Sequence, residues 1–238
     1  MAAAYTPHGA LRGLLADAVG HGLAAAFNVL PVLDGFYSMT EKGIDIGKVA
    51  TEINRKLHRL LPVGNFVAFA LAEIDEHGIR VWNGGLPDLL QVAVDGSLCH
   101  RFPSRHCAGG ILPPDAFSDA LETQPFARSD ELLMFSDGLS EAHDPLGQMF
   151  SMDRIVVGLA AIAPGERAAQ LRERVLAHIV GGEPHDDISV LALPHPAAPR
   201  RGVIGTADLR AGCSLPKATP STQHPAATAR RRACNSDS

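Results

Sequence analysis

A basic excess, long apolar runs and a cysteine framework are all missing from this chain. Lysine and arginine number 21 against 26 aspartate and glutamate, a formal net charge of −5. That balance gives no general pull toward nucleic acid or an anionic membrane. No apolar stretch reaches the roughly 18 residues that a membrane span needs. The opening residues, MAAAYTPHGALRG, lack a basic segment followed by a long apolar one, so they do not read as a secretory signal. Cys99, Cys107, Cys213 and Cys234 are too few and too scattered to scaffold a chain of 238 residues. A reducing cytoplasm is the expected compartment.

What is present points to a folded unit. Hydrophobic residues make up 46% and charged residues 20%, the balance of a globular domain. Composition changes near Pro194, where Pro, Ala, Ser, Thr and Arg take over without an apolar period. The expected division is a domain over 1–194 and a disordered tail over 195–238. The tail's Gly-Val-Ile-Gly is too short to organise it, and its basic run, Arg230 to Arg232, reads as solvated.

The domain reads as mixed α/β. Leu11 to Ala16 is an apolar strand breaking into a glycine-rich turn. A helix follows from about Leu23, with Pro31 expected to kink or interrupt it. Ile46, Val49, Ile53, Leu57 and Leu60 recur at steps of three and four, the buried stripe of a second helix. Lys48, Glu52, Arg55, Lys56 and Arg59 supply its wet face, and Pro62 ends it. FVAFALAEID is almost continuously apolar, so both its faces should be covered. His77-Gly78 turns it into IRVWNGG. LLQVAV meets Asp95-Gly96, a hairpin signal. ELLMF is a short buried strand running into Ser136-Asp137-Gly138. Helices are expected near Ile155 to Ile162 and Arg167 to Val180, before a last strand in HDDISVLAL.

Carboxylates recur at strand ends. Asp17 closes the first strand, Asp137 closes a middle one, and Asp186 and Asp187 open the last. An Asp-Gly pair alone is ordinary turn chemistry. Several carboxylates drawn together repel and raise one another's pKa unless a cation neutralises them. Hard divalent ions, Mg²⁺ or Mn²⁺, favour such oxygen ligands. Two such ions about 4 Å apart clamp a phosphate for in-line attack by water. Convergence requires the last strand to run antiparallel to the others.

The ordered blocks ADAVGHGLAAA, NFVAFALAEID, VWNGGLPDLL, ELLMFSDGLSEA and HDDISVLAL resemble the SpoIIE-like branch of the metal-dependent (PPM-type) serine/threonine phosphatases. Corresponding blocks there read roughly D-V-S-G-H-G-x-x-A-A, F-V-T-x-x-x-x-x-x-D, N-A-G-H-x-P-x-L-L, Y-T-D-G-x-x-E-A and D-D-I-T. The likeness covers about residues 11 to 193. It implies an α/β/β/α sandwich of two mainly antiparallel sheets flanked by helices, with metals at one end. It also implies that Asp17, the carbonyl of Ala18, Asp137 and Asp186 hold Mn²⁺ or Mg²⁺, two ions in an intact site. Asp187 is an outer-shell partner. Gly20, Gly22 and Gly138 let the backbone crowd the site, and His21 meets the phosphate or serves the turn. Glu141 caps or pairs near the following helix rather than binding metal. The implied activity is hydrolysis of phosphoserine or phosphothreonine in a protein by a metal-activated water. The implied substrate is an anti-sigma-factor antagonist of bacterial partner-switching, and the implied fusion is an upstream receiver or sensor domain.

Departures from the family pattern qualify this reading. The family carries an earlier G-G-D-F-Y-D-like block, whereas the sixteen residues before Asp17 contain no acid. The domain is therefore expected to be N-terminally truncated, with an open sheet edge and an incomplete metal site. Gly85-Leu86 stands where the family often has Gly-His. The alternative function is an impaired fragment or pseudophosphatase acting as a protein-binding module. CHRFPSRHC, Cys99 to Cys107, is a surface loop rather than a zinc site, since adjacent Cys-His pairs point to opposite faces. GHGLAAA lacks the lysine and the spacing of a phosphate loop.

Overall fold

A computed structural model of the chain describes residues 1–20, 22–180, 187–196 and 202–203. The elements run β1 (Ala2–Tyr5), β2 (Leu11–Ala18), α1 (Gly22–Thr40), α2 (Ile46–Leu60), β3 (Val67–Asp75), β4 (Gly78–Gly84) and β5 (Leu89–Val92). They continue as β6 (Leu98–Phe102), β7 (Glu122–Gln124), β8 (Glu131–Phe135), α3 (Asp137–Ser140), α4 (Met152–Leu159), α5 (Arg167–Ile179), β9 (Val190–Pro194) and β10 (Gly202–Val203). The strands form a six-stranded sheet, β10-β1-β2-β3-β4-β7, and a four-stranded sheet, β6-β5-β8-β9. Every described pairing is antiparallel apart from one isolated bridge, Gly84 to His106.

Alternation along each strand builds the layers. Leu11 and Leu15 of β2, Ala70 and Ala72 of β3, Leu132 and Met134 of β8, and Leu191 and Leu193 of β9 share one core between the sheets. Leu14, Phe69, Leu71 and Trp82 turn the other way, onto α1 and α2. Leu133, Phe135 and Val190 turn away from the first sheet, onto α4 and α5. The result is an α/β/β/α sandwich.

Two features pin register and packing. Arg12, Glu73 and Arg80 stand opposite one another on β2, β3 and β4 and form a cross-strand ion ladder. Arg12 is buried and also donates to the Ile44 carbonyl at 2.6 Å. At α5, the wholly buried Arg167 donates to Glu131 at 3.3 Å and to the carbonyls of Ala93 and Val94 at 2.6 and 3.2 Å.

Several expectations are corrected. Pro31 does not interrupt α1, which runs on to Thr40. An interior proline costs about 3 kcal/mol, while full burial of one Val or Phe returns about 1.5–3 kcal/mol. Val32 and Phe36 are both fully buried, so packing wins. Leu60, read as part of the α2 stripe, is 54% exposed, whereas Ile46, Val49, Ile53 and Leu57 are buried. The helix stops where foreseen, with Leu61 extended before Pro62 (φ −78°, ψ 141°). β1, β7, α3 and β10 had no signal in the sequence. β10 pairs with β1 at Ala4–Val203 and Tyr5–Gly202, so part of the foreseen open edge is covered. Among the described residues, no helix is long and apolar enough to cross a membrane.

Candidate metal centre at one end of the sandwich

Asp17 is the penultimate residue of β2, opposite Ala68 near the start of β3. Leu11 and Leu15 face the inter-sheet core, so alternation points Asp17 into the rim of that space. It is half-buried there. Asp137 lies in the other sheet's layer, directly after the buried end of β8, and it is exposed. Its carbonyl accepts from the Glu141 N–H at 2.8 Å and the Ser140 hydroxyl at 3.2 Å, which fixes the one-turn helix α3. Gly138 and Leu139 are buried behind it.

Register shows whether these two ends coincide. β2 ends beside the start of β3, with Ala16 opposite Phe69, and Phe69 is opposite Gly84, the last residue of β4. The chain then crosses to the second sheet through residues 85–88, so β5 starts at this same end. β5 runs antiparallel to β8, with Leu90 opposite Leu133 and Val92 opposite Glu131. The start of β5 therefore faces the finish of β8. Asp17 and Asp137 emerge at one end of the sandwich, from different sheets.

Ser136 ties the last strand to that end. Its N–H donates to the Ser189 carbonyl at 3.0 Å. Its hydroxyl donates to the Asp187 carbonyl at 2.9 Å and accepts from the Ser189 N–H at 3.0 Å. Asp187, exposed, is thus held beside the Asp137 turn. Sequence reasoning missed Ser136 because its partners lie 51 and 53 residues away. Asp186 and His21 lie outside the described residues.

The carbonyl of Ala18 has an unusual position. Val67 spends both backbone groups on Gly109, at 3.0 and 2.8 Å, so its pairing with Ala18 is a non-bonded one. Val19, one residue on, turns back and donates to Phe66 at 3.2 Å. The Ala18 carbonyl therefore points away from β3, toward the side where β1 begins only opposite Leu14. A backbone oxygen unused by the ladder, next to Asp17, suits a hard cation. Among the described residues, no group of three or more His, Cys, Asp or Glu side chains is placed to hold an ion. The donor chemistry fits Mg²⁺ or Mn²⁺, and the fourth expected donor, Asp186, belongs to the undescribed stretch. Gly20 and Gly22 adopt φ +94° and +75°, which explains glycine at both turn positions.

The chain matches the profile of Stage II sporulation protein E (SpoIIE) over residues 7–196. It belongs to the SpoIIE family. Among solved structures, the RsbU and RsbW domains of Rv1364c from Mycobacterium tuberculosis align with a TM-score of 0.67 at 20% identity. That alignment covers 82% of this chain, which spans only 55% of that one. RsbX in complex with magnesium aligns at TM-score 0.58 and 12% identity, covering 79% and 83% of the two chains. The catalytic domain of the serine/threonine phosphatase PstP, in complex with 2 manganese ions, aligns at 0.59 and 15%, covering 79% and 88%. A search of curated protein sequences returned no match. The SpoIIE sandwich found here is thus the PP2C-type fold, and homologues with this fold bind Mg²⁺ or Mn²⁺.

The Cys99 to Cys107 stretch, expected as a surface loop, runs in strand β6 as far as Phe102, and among the described residues it assembles no zinc site. His100 bonds Glu122 at 2.7 Å, and His106 bonds the Ala120 carbonyl at 3.0 Å while stacking on Trp82 at 4.9 Å. Cys99 and Cys107 are exposed and free.

Proposed function

We propose that this chain is a Mn²⁺- or Mg²⁺-dependent phosphoserine/phosphothreonine protein phosphatase. One observation carries the reading: Asp17 and Asp137, remote in sequence, emerge at the same end of the sandwich. Asp17, the Ala18 carbonyl, Asp137 and Asp186 would hold the metal, with Asp187 beside them. When bound, the ions would neutralise charge on the phosphoryl oxygens and lower the pKa of a nucleophilic water. The residues of this chain do the positioning. Asp17 rides on β2, which pairs with β3 through Ala18 and with β1 as far as Leu14, and Ser136 locks the Asp137 turn to the segment that leads from Asp187 into β9. Rigid mounting at strand ends supplies the preorganisation that phosphate-ester hydrolysis demands.

The likeness to a protein carrying RsbU and RsbW domains supports a substrate in partner-switching, an anti-sigma-factor antagonist, in the cytoplasm. A binding module with a weak metal site is the second reading. Hydrolysis of p-nitrophenyl phosphate with added Mn²⁺ separates the two. The phosphatase predicts metal-dependent turnover that falls about 10²-fold or more in Asp17→Asn and in Asp137→Asn. Turnover untouched by both substitutions would remove these residues from the mechanism.

A further inference from the structure

Ser136 stands at the switch from β8 to α3, in the position that caps a helix. A serine there ordinarily bonds the first N–H groups of the helix. This one makes no such bond. Its side chain is buried and turned toward the segment before β9. The reason lies in the backbone. β8 and β9 pair as far as Phe135 opposite Val190, which brings Ser136 opposite Ser189. In a bonded antiparallel pair the two residues exchange both N–H···O=C bonds. Ser136 supplies one of them, its N–H donating to the Ser189 carbonyl at 3.0 Å. Its own carbonyl is turned to α3, where it accepts from the Leu139 N–H at 3.1 Å. The hydroxyl takes the place of that carbonyl in the ladder. It accepts from the Ser189 N–H at 3.0 Å and passes its own proton to the Asp187 carbonyl at 2.9 Å. One side chain thus lets a strand end and a helix begin at the same residue, with Asp137 first in that helix.

We infer that the Ser136 hydroxyl is a positioning group for the metal centre, one that fixes the spacing between Asp137 and the Asp187 segment and so sets the affinity for Mn²⁺. The inference rests on the metal-site reading of the proposed function. The joint needs one small oxygen on Cβ that accepts and donates at once. Threonine supplies it, whereas alanine and valine do not. Without the hydroxyl, the Ser189 N–H and the Asp187 carbonyl lose their partner beside the Asp137 turn, and the two segments are free to separate. Loss of an outer partner of this kind costs about 10–100-fold in metal affinity. The effect passes through the ligands that Ser136 holds in place, so Ser136 itself touches neither ion nor phosphate.

The test is Mn²⁺ binding to the full chain by isothermal titration calorimetry, with no substrate present. Ser136→Thr should bind within about twofold of the wild type, and Ser136→Val, isosteric with threonine, should raise Kd about tenfold or more. Ser136→Ala should match the valine variant. Amide hydrogen exchange, measured without metal, should quicken at Ser189 in the valine and alanine variants and stay slow with threonine. Val175→Ala, a core truncation on α5, lowers Tm without touching the joint and should leave Kd unchanged. Wild-type affinity in Ser136→Val and Ser136→Ala would overturn the proposal and leave the metal reading standing. So would an equal loss of affinity in Ser136→Thr or in Val175→Ala. A wild-type chain that binds no Mn²⁺ would bring down the metal reading and this inference together.

Discussion

Asp144 anchors the loop after the Asp137 turn by accepting N–H bonds from Gln148 at 2.8 Å and Leu146 at 2.9 Å. The Gln148 bond is the chief cause of a carboxyl pKa below the ordinary 3.8. A lowered folded pKa means the loop is stabilised by this carboxylate above the ordinary value. That contribution is lost as pH falls through the lowered one. Carbon-detected NMR titration should therefore give Asp144 a midpoint under 3.8, and a midpoint at or above it would deny these bonds. At the same scale, motif and spacing made Asp17 and Asp137 visible. Ser136 was invisible, because a serine acquires its meaning only from the strand beside it.

The buried Arg167 decides how α5 meets the second sheet. Its guanidinium joins Glu131 of β8 to the carbonyls after β5, and Glu131 also accepts from the Gly165 N–H at 3.1 Å. Removing one partner of a buried pair leaves the other charge uncompensated. Arg167→Ala should cost about 3–5 kcal/mol in urea unfolding. Arg167→Met combined with Glu131→Leu should cost much less, since no lone charge remains. A mild effect of Arg167→Ala alone would show that Glu131 reaches water. Element legibility followed sidedness. α2 was readable because its buried stripe opposes a charged face. α1 is apolar on both sides, so periodicity could not say which side is covered, and the breaker rule for Pro31 gave way to packing. β7 and β10, with three and two residues, are too short to carry a period.

Across the whole molecule, metal binding should couple to stability. An ion that binds the folded chain but not the unfolded one stabilises by about 2.7 kcal/mol at 100 times its Kd. Calorimetry should show a rise in Tm with added Mn²⁺ in the wild type, lost in Asp17→Asn and in Asp137→Asn. An equal rise in all three would place the ion elsewhere. This readout is independent of turnover, so it also separates an ion-binding module from a chain that holds no metal.

Composition, the α2 stripe, the apolar β3 run and the order of the aspartate blocks were settled by the sequence alone, because each depends on near neighbours along the chain. Tertiary structure alone decided that Asp17 and Asp137 share an end, since that follows from the β2–β3–β4 register and the crossing from β4 into β5. It also decided that the Cys99–Cys107 histidines serve Glu122 and the Ala120 carbonyl, and that Phe27 and Leu30 stay in water. These outcomes depend on what packs against a residue from far along the chain, and no local pattern encodes that.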